Sequence, residues 1–503
     1  MKLLQVLFLA LMSILICSPA ISHLIMGAPA TYGQKPYTKY PDGGLLKSVE
    51  QRKAFANALA ERSPIRKMAL STRNEALFLT NSLNSSRIFS GNDKWLFFKG
   101  QFTNYNCQQN KTIDAALEHL DVMSAMAELT GPKVLFSISP NKYSIYPDKA
   151  GTLGNKFSEC YFDQQVRLES RVELMPQKNV LMHHKALKQA RLQGLLAYRP
   201  HDTHWTELGG LYAFNDVLKW LGYNGENITR GIEFEQLETV DDSDLGNTML
   251  LLKAGYDDNY VPKKDEIANF IDKNDLFSED ILILHDSFYQ KISTHIDAFL
   301  PKAQRLHFAR DTQKIPEVIQ DFDHIILNIV ERSFGYHFNA KTLGLDSPLA
   351  QEVLRRNMNA AKSCHWDDGS DWLNTKKIHF LNLKMEGSLA KAETTDPIIL
   401  FDVSELDRQK GICLELKLYT KSNDRFEVFL QNTQLVPSKS EWLRGRSFNK
   451  KIDAGATTLQ FIIPTDENTK YIRVDPIATK SEFSLNSARL VSYTNTAKDR
   501  LDE

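Results

Sequence analysis

The chain has 503 residues, of which 42% are apolar and 24% are charged, and this balance excludes a disordered chain. Its 61 Lys and Arg residues against 62 Asp and Glu residues leave a formal net charge of −1, so no overall basic field exists that would attract nucleic acid. The length is too great for one ordinary core and predicts two or three domains.

The N-terminus has the layout of a secretory signal peptide. Lys2 precedes an apolar run over residues 3–16, Pro19 ends that run, and small residues stand at positions 20 and 22, where they determine cleavage. We therefore predict a signal peptide over residues 1–22 and a periplasmic or secreted protein. An uncleaved membrane anchor is the alternative, although the apolar run is rather short for a span.

Helical and strand patterns alternate between residues 45 and 345, which predicts a mostly parallel sheet covered by helices on both faces. Ligands of such sheets bind outside the carboxyl ends of the strands. The helical patterns cover residues 46–62, 65–83, 112–129, 185–194 and 208–221, and the strand patterns cover residues 134–138, 195–198, 281–284, 306–309 and 325–330.

The character of the sequence changes near residue 345. Residues 346–374 are interpreted as a linker that contains a helix. From residue 375 to 495 the apolar runs are short, often alternating and rich in β-branched residues, with turn residues between them. This spacing predicts a C-terminal β-sandwich.

Four cysteines lie beyond the predicted signal peptide, and an even number in an exported chain indicates two disulfides. Three pairings are open. Proximity in the sequence favours Cys107–Cys160 and Cys364–Cys413, with buried free thiols as the alternative.

Three side chains supply the parts of a nucleophilic acyl-transfer site. Asp202 and His204 follow the run at 195–198, and Ser287 follows the run at 281–284. A serine needs a neighbouring base, and a carboxylate can hold that imidazole in the right tautomer. The alternatives are structural: Ser287 caps the helix that follows it, and Asp202 or Thr203 caps the next helix while His204 lies on the surface in its first turn.

Several histidines and one arginine could bind a metal ion or an anionic sugar. His201 and His204 could bind a metal ion with His183-His184, but a catalytic metal site needs three defined ligands, and we predict no metal. His183-His184 is expected on a solvated face. Arg310 could bind an anionic sugar or instead form a surface salt bridge.

Four segments occur in a characteristic order: Gly91-Asn92-Asp93-Lys94-Trp95-Leu96-Phe97, Asp202-Thr203-His204-Trp205-Thr206, His285-Asp286-Ser287-Phe288 and Ile329-Val330-Glu331-Arg332-Ser333. Together they resemble the SGNH-hydrolase-like domain of bacterial alginate O-acetyltransferases and their exopolysaccharide relatives. The resemblance covers about residues 45–340 and implies an SGNH-like α/β fold for a catalytic domain over residues 45–345. It also implies catalytic roles for Ser287, His204 and Asp202, and a carbohydrate-binding β-sandwich over residues 375–495.

The sequence thus predicts an exported polysaccharide O-acetyltransferase that forms an acetyl-serine intermediate and requires no cofactor. The resemblance implies that a membrane acyltransferase partner supplies the acetyl group. A carbohydrate acetyl-esterase and a non-catalytic polysaccharide-binding or assembly protein are the alternatives. One departure concerns His285, because family members commonly have a small residue two positions before the serine.

Overall fold

The computed structural model describes most of the chain in fourteen segments. They are residues 2–27, 39–40, 48–103, 110–129, 133–175, 177–239, 243–251, 257–273, 279–338, 342–344, 346–366, 371–373, 375–429 and 447–493.

Three helices and a short hairpin precede the main sheet: α1 (Lys2–Met26), α2 (Val49–Glu61), α3 (Pro64–Leu79), β1 (Ile88–Ser90) and β2 (Leu96–Phe98). Within the described segments, no helix combines the length and the apolar character that crossing a membrane requires. The signal peptide over residues 1–22 stays a prediction.

A parallel five-stranded sheet forms the centre of the α/β domain, in the order β4–β3–β9–β7–β8, and two further strands form a separate antiparallel pair. The side chains of β3, β7 and β9 are buried throughout, as expected for apolar strands that are covered on both faces. The strands are β3 (Val134–Ser139), β4 (Val180–Met182), β5 (Phe234–Thr239), β6 (Asp257–Pro262), β7 (Ile281–His285), β8 (Gln304–His307) and β9 (His324–Val330).

Helices flank this sheet, and the longest of them, α5, carries a buried apolar stripe along most of its length. The helices are α4 (Gly100–Thr103), α5 (Asn110–Leu129), α6 (Lys142–Ile145), α7 (Gly151–Phe157), α8 (Tyr161–Glu173), α9 (His184–Leu192), α10 (Glu207–Trp220), α11 (Ile228–Gly231), α12 (Asp244–Thr248), α13 (Glu266–Lys273), α14 (Ser287–Gln290), α15 (Ser293–Phe299), α16 (Ile315–Val318) and α17 (Glu331–Phe338).

The strand predicted at residues 195–198 is wrong. The segment is irregular, and its one strand-like contact is an antiparallel bridge between Tyr198 and Trp205. Pro200 follows almost at once and cannot donate a hydrogen bond to a strand ladder, so the chain turns back instead of joining the sheet. Asp202 and His204 therefore lie in a loop that begins beyond α9.

The C-terminal part contains two antiparallel five-stranded sheets, in the orders β10–β13–β18–β15–β16 and β11–β12–β19–β14–β17. Their facing apolar side chains form a continuous core, as in a β-sandwich. The strands are β10 (Ile378–Leu381), β11 (Leu383–Glu386), β12 (Leu389–Ala392), β13 (Ile398–Asp402), β14 (Ile412–Thr420), β15 (Asp424–Phe429), β16 (Ser447–Ile452), β17 (Gly455–Ile463), β18 (Tyr471–Asp475) and β19 (Glu482–Ser492). The predicted fold class is confirmed.

Helix α18 (Pro348–Ala361) lies in the segment that the sequence predicts as a linker. The amide of Asn357 donates to the carbonyl oxygen of Ile462 at 2.7 Å and accepts from the N–H of the same residue at 3.0 Å. A disulfide joins Cys364 to Cys413 on β14. Cys107 lies outside the described residues, so the pairing Cys107–Cys160 stays a prediction, as do the domain boundaries.

Candidate active site

Three side chains from two distant parts of the sequence meet at the carboxyl edge of the parallel sheet. The Nε2 atom of His204 lies 2.8 Å from the Oγ atom of Ser287, and its Nδ1 atom lies 2.5 Å from Oδ1 of Asp202. The imidazole thus bridges a hydroxyl and a carboxylate through its two nitrogens. This is the geometry that a general base needs to take a proton from a serine hydroxyl.

Ser287 is the first residue of α14, directly after β7. The helix is capped by Asp286, whose Oδ1 atom accepts from the N–H of Phe288 at 2.8 Å, so the alternative in which Ser287 is the cap is wrong. The other carboxylate oxygen of Asp286 accepts from the N–H of Val330 at 2.7 Å. Because this contact fixes the turn to the end of β9, the hydroxyl of Ser287 is held at the rim of the sheet.

Asp202 is fully buried, and cations surround the carboxylate oxygen that faces away from His204. Lys291 and Arg199 place side-chain nitrogens 3.6 Å and 3.8 Å from this oxygen. Burial raises the pKa of Asp202, but the charges of His204, Lys291 and Arg199 and the hydrogen bond with His204 outweigh burial and hold the pKa well below its ordinary value. Asp202 is therefore ionised and can stabilise a charged imidazole.

A second carboxylate, that of Asp244, borders the same loop. It accepts from the N–H and the hydroxyl of Thr203 at 2.8 Å and 2.6 Å, and its Oδ2 atom lies 3.9 Å from Nδ1 of His204. Burial and the neighbouring Asp202 raise the pKa of Asp244. The helix caps expected at Asp202 or Thr203 are absent here, because α10 is capped by Thr206.

The hydroxyl of Ser287 opens into a cleft of about 210 Å³. Two arginines, Arg87 and Arg332, lie on its walls, and both guanidinium groups approach the ring of Phe98, at 5.8 Å and 5.9 Å from its centroid. The cleft therefore combines a nucleophile-like hydroxyl with positive charge and an apolar floor. Its other lining residues are Ile88, Thr203, His204, Asp244, Leu245 and Thr248.

Arg332 is held by a buried chain of hydrogen bonds. Its Nη1 atom donates to Oδ1 of Asn141 at 3.2 Å, and the amide of Asn141 donates to the hydroxyl of Tyr161 at 2.9 Å. Tyr161 in turn donates to the carboxylate of Glu331 at 2.6 Å. Glu331 is the neighbour of Arg332 in the sequence, so this chain returns to the helix from which it starts.

Glu331 is buried and also contacts Nε2 of His184 at 2.5 Å. Burial raises the pKa of Glu331, but the charge of His184 and the hydrogen bonds from His184, Ser144 and Tyr161 outweigh burial, and the pKa lies below its ordinary value. The expectation of a solvated face for His183-His184 is wrong, because both side chains are buried. A charged partner, Glu331, compensates the burial of His184.

Among the described residues, Asp202, His204 and Asp244 place possible metal-ligand atoms within 4.8 Å of one another. The proximity of Lys291 and Arg199 to Asp202 opposes a further cation at this place. His183 and His184 lie elsewhere, against Ser137 and Glu331, and do not complete a ligand set with His201 and His204.

Arg310 does not line the cleft. Its Nη2 atom donates to Oε1 of Gln290 at 2.6 Å, and the side chain is exposed. The sequence analysis missed Arg332 as a cleft residue, although the segment 329–333 contains it. An arginine two residues beyond a strand whose carboxyl end faces the site was the signal that could have identified it.

His285, the departure noted in the sequence, is buried beside the turn. Its Nδ1 atom lies 2.7 Å from the carbonyl oxygen of Asp286, and burial lowers the pKa of its imidazole. Trp205 packs against Phe288 and donates to the carbonyl oxygen of that residue at 3.0 Å. Trp205 therefore joins the His204 loop to the Ser287 helix.

Comparison with known proteins supports the predicted resemblance. Residues 88–282 match the model of a family described as ALGX, the SGNH hydrolase-like domain of acetyltransferase AlgX. The predicted resemblance is therefore confirmed for this part of the chain. A search of curated proteins gives no match.

Solved structures with similar folds include the O-acetyltransferase domain of Pseudomonas putida AlgJ, with 14% identity over 50% of this chain and 92% of that chain and a TM-score of 0.35. Pseudomonas aeruginosa AlgX has 11% identity over 85% of this chain and 99% of that chain, with a TM-score of 0.32. Bacillus cereus PatB1 with a sulfonyl adduct has 15% identity over 49% and 95%, with a TM-score of 0.35.

Proposed function

We propose, from the premise that residues 88–282 belong to the SGNH hydrolase-like domain family of acetyltransferase AlgX, that the protein is an exported polysaccharide O-acetyltransferase. Ser287 is the proposed nucleophile, His204 the general base and Asp202 the residue that orients and stabilises the imidazole. The observation that carries the proposal is the continuous contact from Asp202 through His204 to Ser287, which ends at a cleft.

In the first proposed step, Nε2 of His204 takes the proton of Ser287 while Oγ attacks the carbonyl carbon of an acetyl donor. A tetrahedral intermediate forms and collapses. The donor's leaving oxygen receives the proton from His204, and the acetyl group remains on Ser287 as an ester. The buried carboxylate of Asp202 favours this step because it stabilises the imidazolium that exists between the two proton transfers.

In the second proposed step, a hydroxyl of the sugar enters the same cleft and gives its proton to Nε2 of His204. Its oxygen attacks the acetyl ester, and the proton returns from His204 to Oγ of Ser287 as the ester bond breaks. The free serine and an O-acetylated sugar result. Both steps use one base and one nucleophile, so the chemistry that we propose needs no cofactor.

Two donors are proposed for the negative charge of the tetrahedral intermediate. The backbone N–H of Ser287 is at the first residue of α14, and Arg332 lines the cleft beside it. The positive charges of Arg87 and Arg332 also favour an acceptor polymer that carries carboxylate groups. This charge pattern supports an acidic polysaccharide as the substrate.

Export is supported by the disulfide between Cys364 and Cys413, because such bonds persist in oxidising compartments. We therefore propose a periplasmic or secreted location, reached through the predicted signal peptide. Acetyl donors such as thioesters are made inside the cell, and we propose that a membrane acyltransferase partner supplies the group. The C-terminal β-sandwich is proposed to bind the polymer near the cleft.

The proposal is tested by mass spectrometry of the purified protein after incubation with an activated acetyl ester. We expect a mass increase of one acetyl group on the peptide that contains Ser287, and none in the variant Ser287→Ala. Acetylation of the wild-type protein elsewhere, with Ser287 unmodified, would refute the proposed nucleophile.

Product analysis separates the transferase from a carbohydrate acetyl-esterase, which would use water in the second step. The reaction is run with the same acetyl ester, with and without an acidic oligosaccharide. Appearance of acetylated oligosaccharide supports the transferase, whereas release of acetate alone supports the esterase. A protein that does neither and still binds the polymer would be the non-catalytic binding or assembly protein.

A further inference from the structure

Lys142 is buried at the edge of the candidate active site. It is the first residue of α6, directly beyond the carboxyl end of β3, and its relative exposure is 2%. Lysine is almost never fully buried unless its charge is compensated, because the removal of an ammonium group from water is energetically unfavourable. Other polar groups must therefore replace water around the charge of Lys142.

Three backbone carbonyl oxygens replace that water. The Nζ atom of Lys142 donates to the carbonyl oxygens of Arg199 at 3.0 Å, Pro200 at 2.9 Å and Asp202 at 2.6 Å. An ammonium group has three N–H donors, which matches these three acceptors. The ammonium group also lies over the rings of Trp95 and Phe97, at 5.3 Å and 5.1 Å from their centroids.

The three carbonyl groups belong to the irregular loop that carries the candidate base. This loop does not pair with the parallel sheet. The N–H of Arg199 donates to the carbonyl oxygen of His204 at 3.2 Å and so connects the two sides of the loop. The carbonyl groups of a buried loop need partners that regular secondary structure does not provide here. A single ammonium group that contacts three of them fixes the relative orientation of their peptide planes.

We propose that Lys142 is a positioning residue that holds the loop of residues 199–202 so that Asp202 and His204 meet Ser287. The contact is direct at Asp202, whose carbonyl oxygen binds Lys142 while its carboxylate binds His204. A displacement of about 1 Å in such a group can reduce a reaction rate about a hundredfold. The inference rests on the proposed function, because it assigns Lys142 a role in preparing the same nucleophile.

A matched control stands seven residues further along the chain. Lys149 pairs with Asp93 at 2.6 Å, and its side chain is 31% exposed, so it has a partner but no contact with the loop of residues 199–202. Replacement of either lysine by methionine removes one charge and keeps a long apolar stem. A positioning role predicts a difference between the two variants that the loss of a charge alone does not explain.

The experiment measures how fast a small sulfonyl fluoride modifies Ser287. Two quantities are obtained: the limiting rate of modification at high reagent concentration, and the reagent concentration that gives half of that rate. For Lys142→Met, we expect the limiting rate to fall about 10- to 100-fold and the half-saturating concentration to change little. Lys149→Met should match the wild type in both. Lys142→Arg, which keeps the charge, should recover part of the lost rate.

The outcomes separate this inference from the proposed function. If wild type and Ser287→Ala are modified equally slowly, the proposed nucleophile is wrong. If wild type reacts rapidly and folded Lys142→Met reacts equally fast, the positioning role is wrong.

Should Lys142→Met fail to fold, Lys142→Arg provides the test. Its planar guanidinium cannot direct donors at three oxygens from one point, so the limiting rate should fall at least about threefold. A rate equal to that of the wild type overturns the inference.

Discussion

Two sets of serine, histidine and aspartate lie in the α/β domain. In one set the aspartate is buried and the serine is partly exposed, and in the other set the serine is buried and the aspartate is partly exposed. In the rim set, which consists of Ser287, His204 and Asp202, the carboxylate is fully buried and the serine is partly exposed at the cleft. The His204–Asp202 contact is short, at 2.5 Å, and the hydroxyl is 2.8 Å from the imidazole.

The inner set consists of Ser137, His183 and Asp216. The hydroxyl of Ser137 is 2.7 Å from Nε2 of His183 but is fully buried, and it also contacts Tyr289 and Asn328 at 3.2 Å and 3.0 Å. Asp216 lies 3.6 Å from Nδ1 of His183, and its side chain is 37% exposed.

Residue types and a short serine–histidine distance are therefore not sufficient to make a serine reactive. A reagent can reach the hydroxyl in the rim set, and the buried carboxylate there bonds the imidazole directly. In the inner set the hydroxyl is enclosed by hydrogen-bonding partners, and the carboxylate is open to water, where its influence on the imidazole is screened. We therefore expect reactivity in the rim set alone.

The largest expected effect distinguishes the two serines. Ser287→Ala should lower the rate of acetyl transfer by at least about a thousandfold, because it removes the proposed nucleophile. Ser137→Ala should leave the rate within a few-fold and lower the free energy of unfolding by about 1–3 kcal/mol, because buried polar partners lose a hydrogen bond. Rate assays and denaturant unfolding of both variants test this, and equal rate losses would contradict the comparison.

The two aspartates provide the next test. Asp202→Asn should lower the rate about 10²- to 10⁴-fold, because an amide neither stabilises the imidazolium nor selects the required tautomer. Asp216→Asn should change the rate less than about threefold, since its carboxylate is too distant to bond the imidazole and is partly exposed. Steady-state kinetics of both variants measure these rates. A large loss of rate in Asp216→Asn would show that the inner set participates in the reaction.

A smaller effect concerns the surroundings that only the rim set has. Glu331→Gln should lower kcat about tenfold with little change in KM, because the chain through Tyr161 and Asn141 orients Arg332. Arg332→Gln should lower kcat at least as much. If Glu331→Gln lost stability but kept its kcat, the chain would be structural only.

The smallest effect is the pH dependence of stability. Because the pKa of Asp202 is held well below its ordinary value of 3.8, its ionised form stabilises the folded state at every pH above about 4. That contribution is lost as the pH falls through the lower pKa of the folded state. The difference in unfolding free energy between wild type and Asp202→Asn should not decrease from about pH 7 to pH 5, and it should shrink below about pH 4. Chemical denaturation over this range measures it, and a decrease already near pH 6 would contradict the depressed pKa.

Much of the α/β domain could be predicted from local patterns. The apolar runs at residues 134–138, 281–284 and 325–330 became β3, β7 and β9, because strands that are buried on both faces leave uninterrupted apolar runs. Ser287 was also expected directly beyond a strand, where the turn into a helix presents its hydroxyl. The three residues of the rim set were predicted from such positions beyond apolar runs and from the ordered family segments.

Other features depend on contacts that a local pattern does not contain. Residues 195–198 have the composition of a strand, yet Lys142 and β2 bind the loop that follows, through the carbonyl oxygen of Pro200 among others. His183 and His184 have a polar character that indicates a surface, but Ser137 and Glu331, distant in the sequence, provide partners in the interior. Arg310 and Arg332 are equally plausible as anion-binding residues until their positions at the sheet edge are known.

The sequence alone determined the alternation of strands and helices, the change to a β-rich C-terminal part and the chemical types of the three residues of the rim set. Those properties follow from short-range periodicity and from ordered motifs. The tertiary structure decided which histidine has an ionised partner, which serine can be reached and which arginine lines the cleft. Each of these depends on burial and on distances between atoms far apart along the chain, and local residue patterns do not specify such distances.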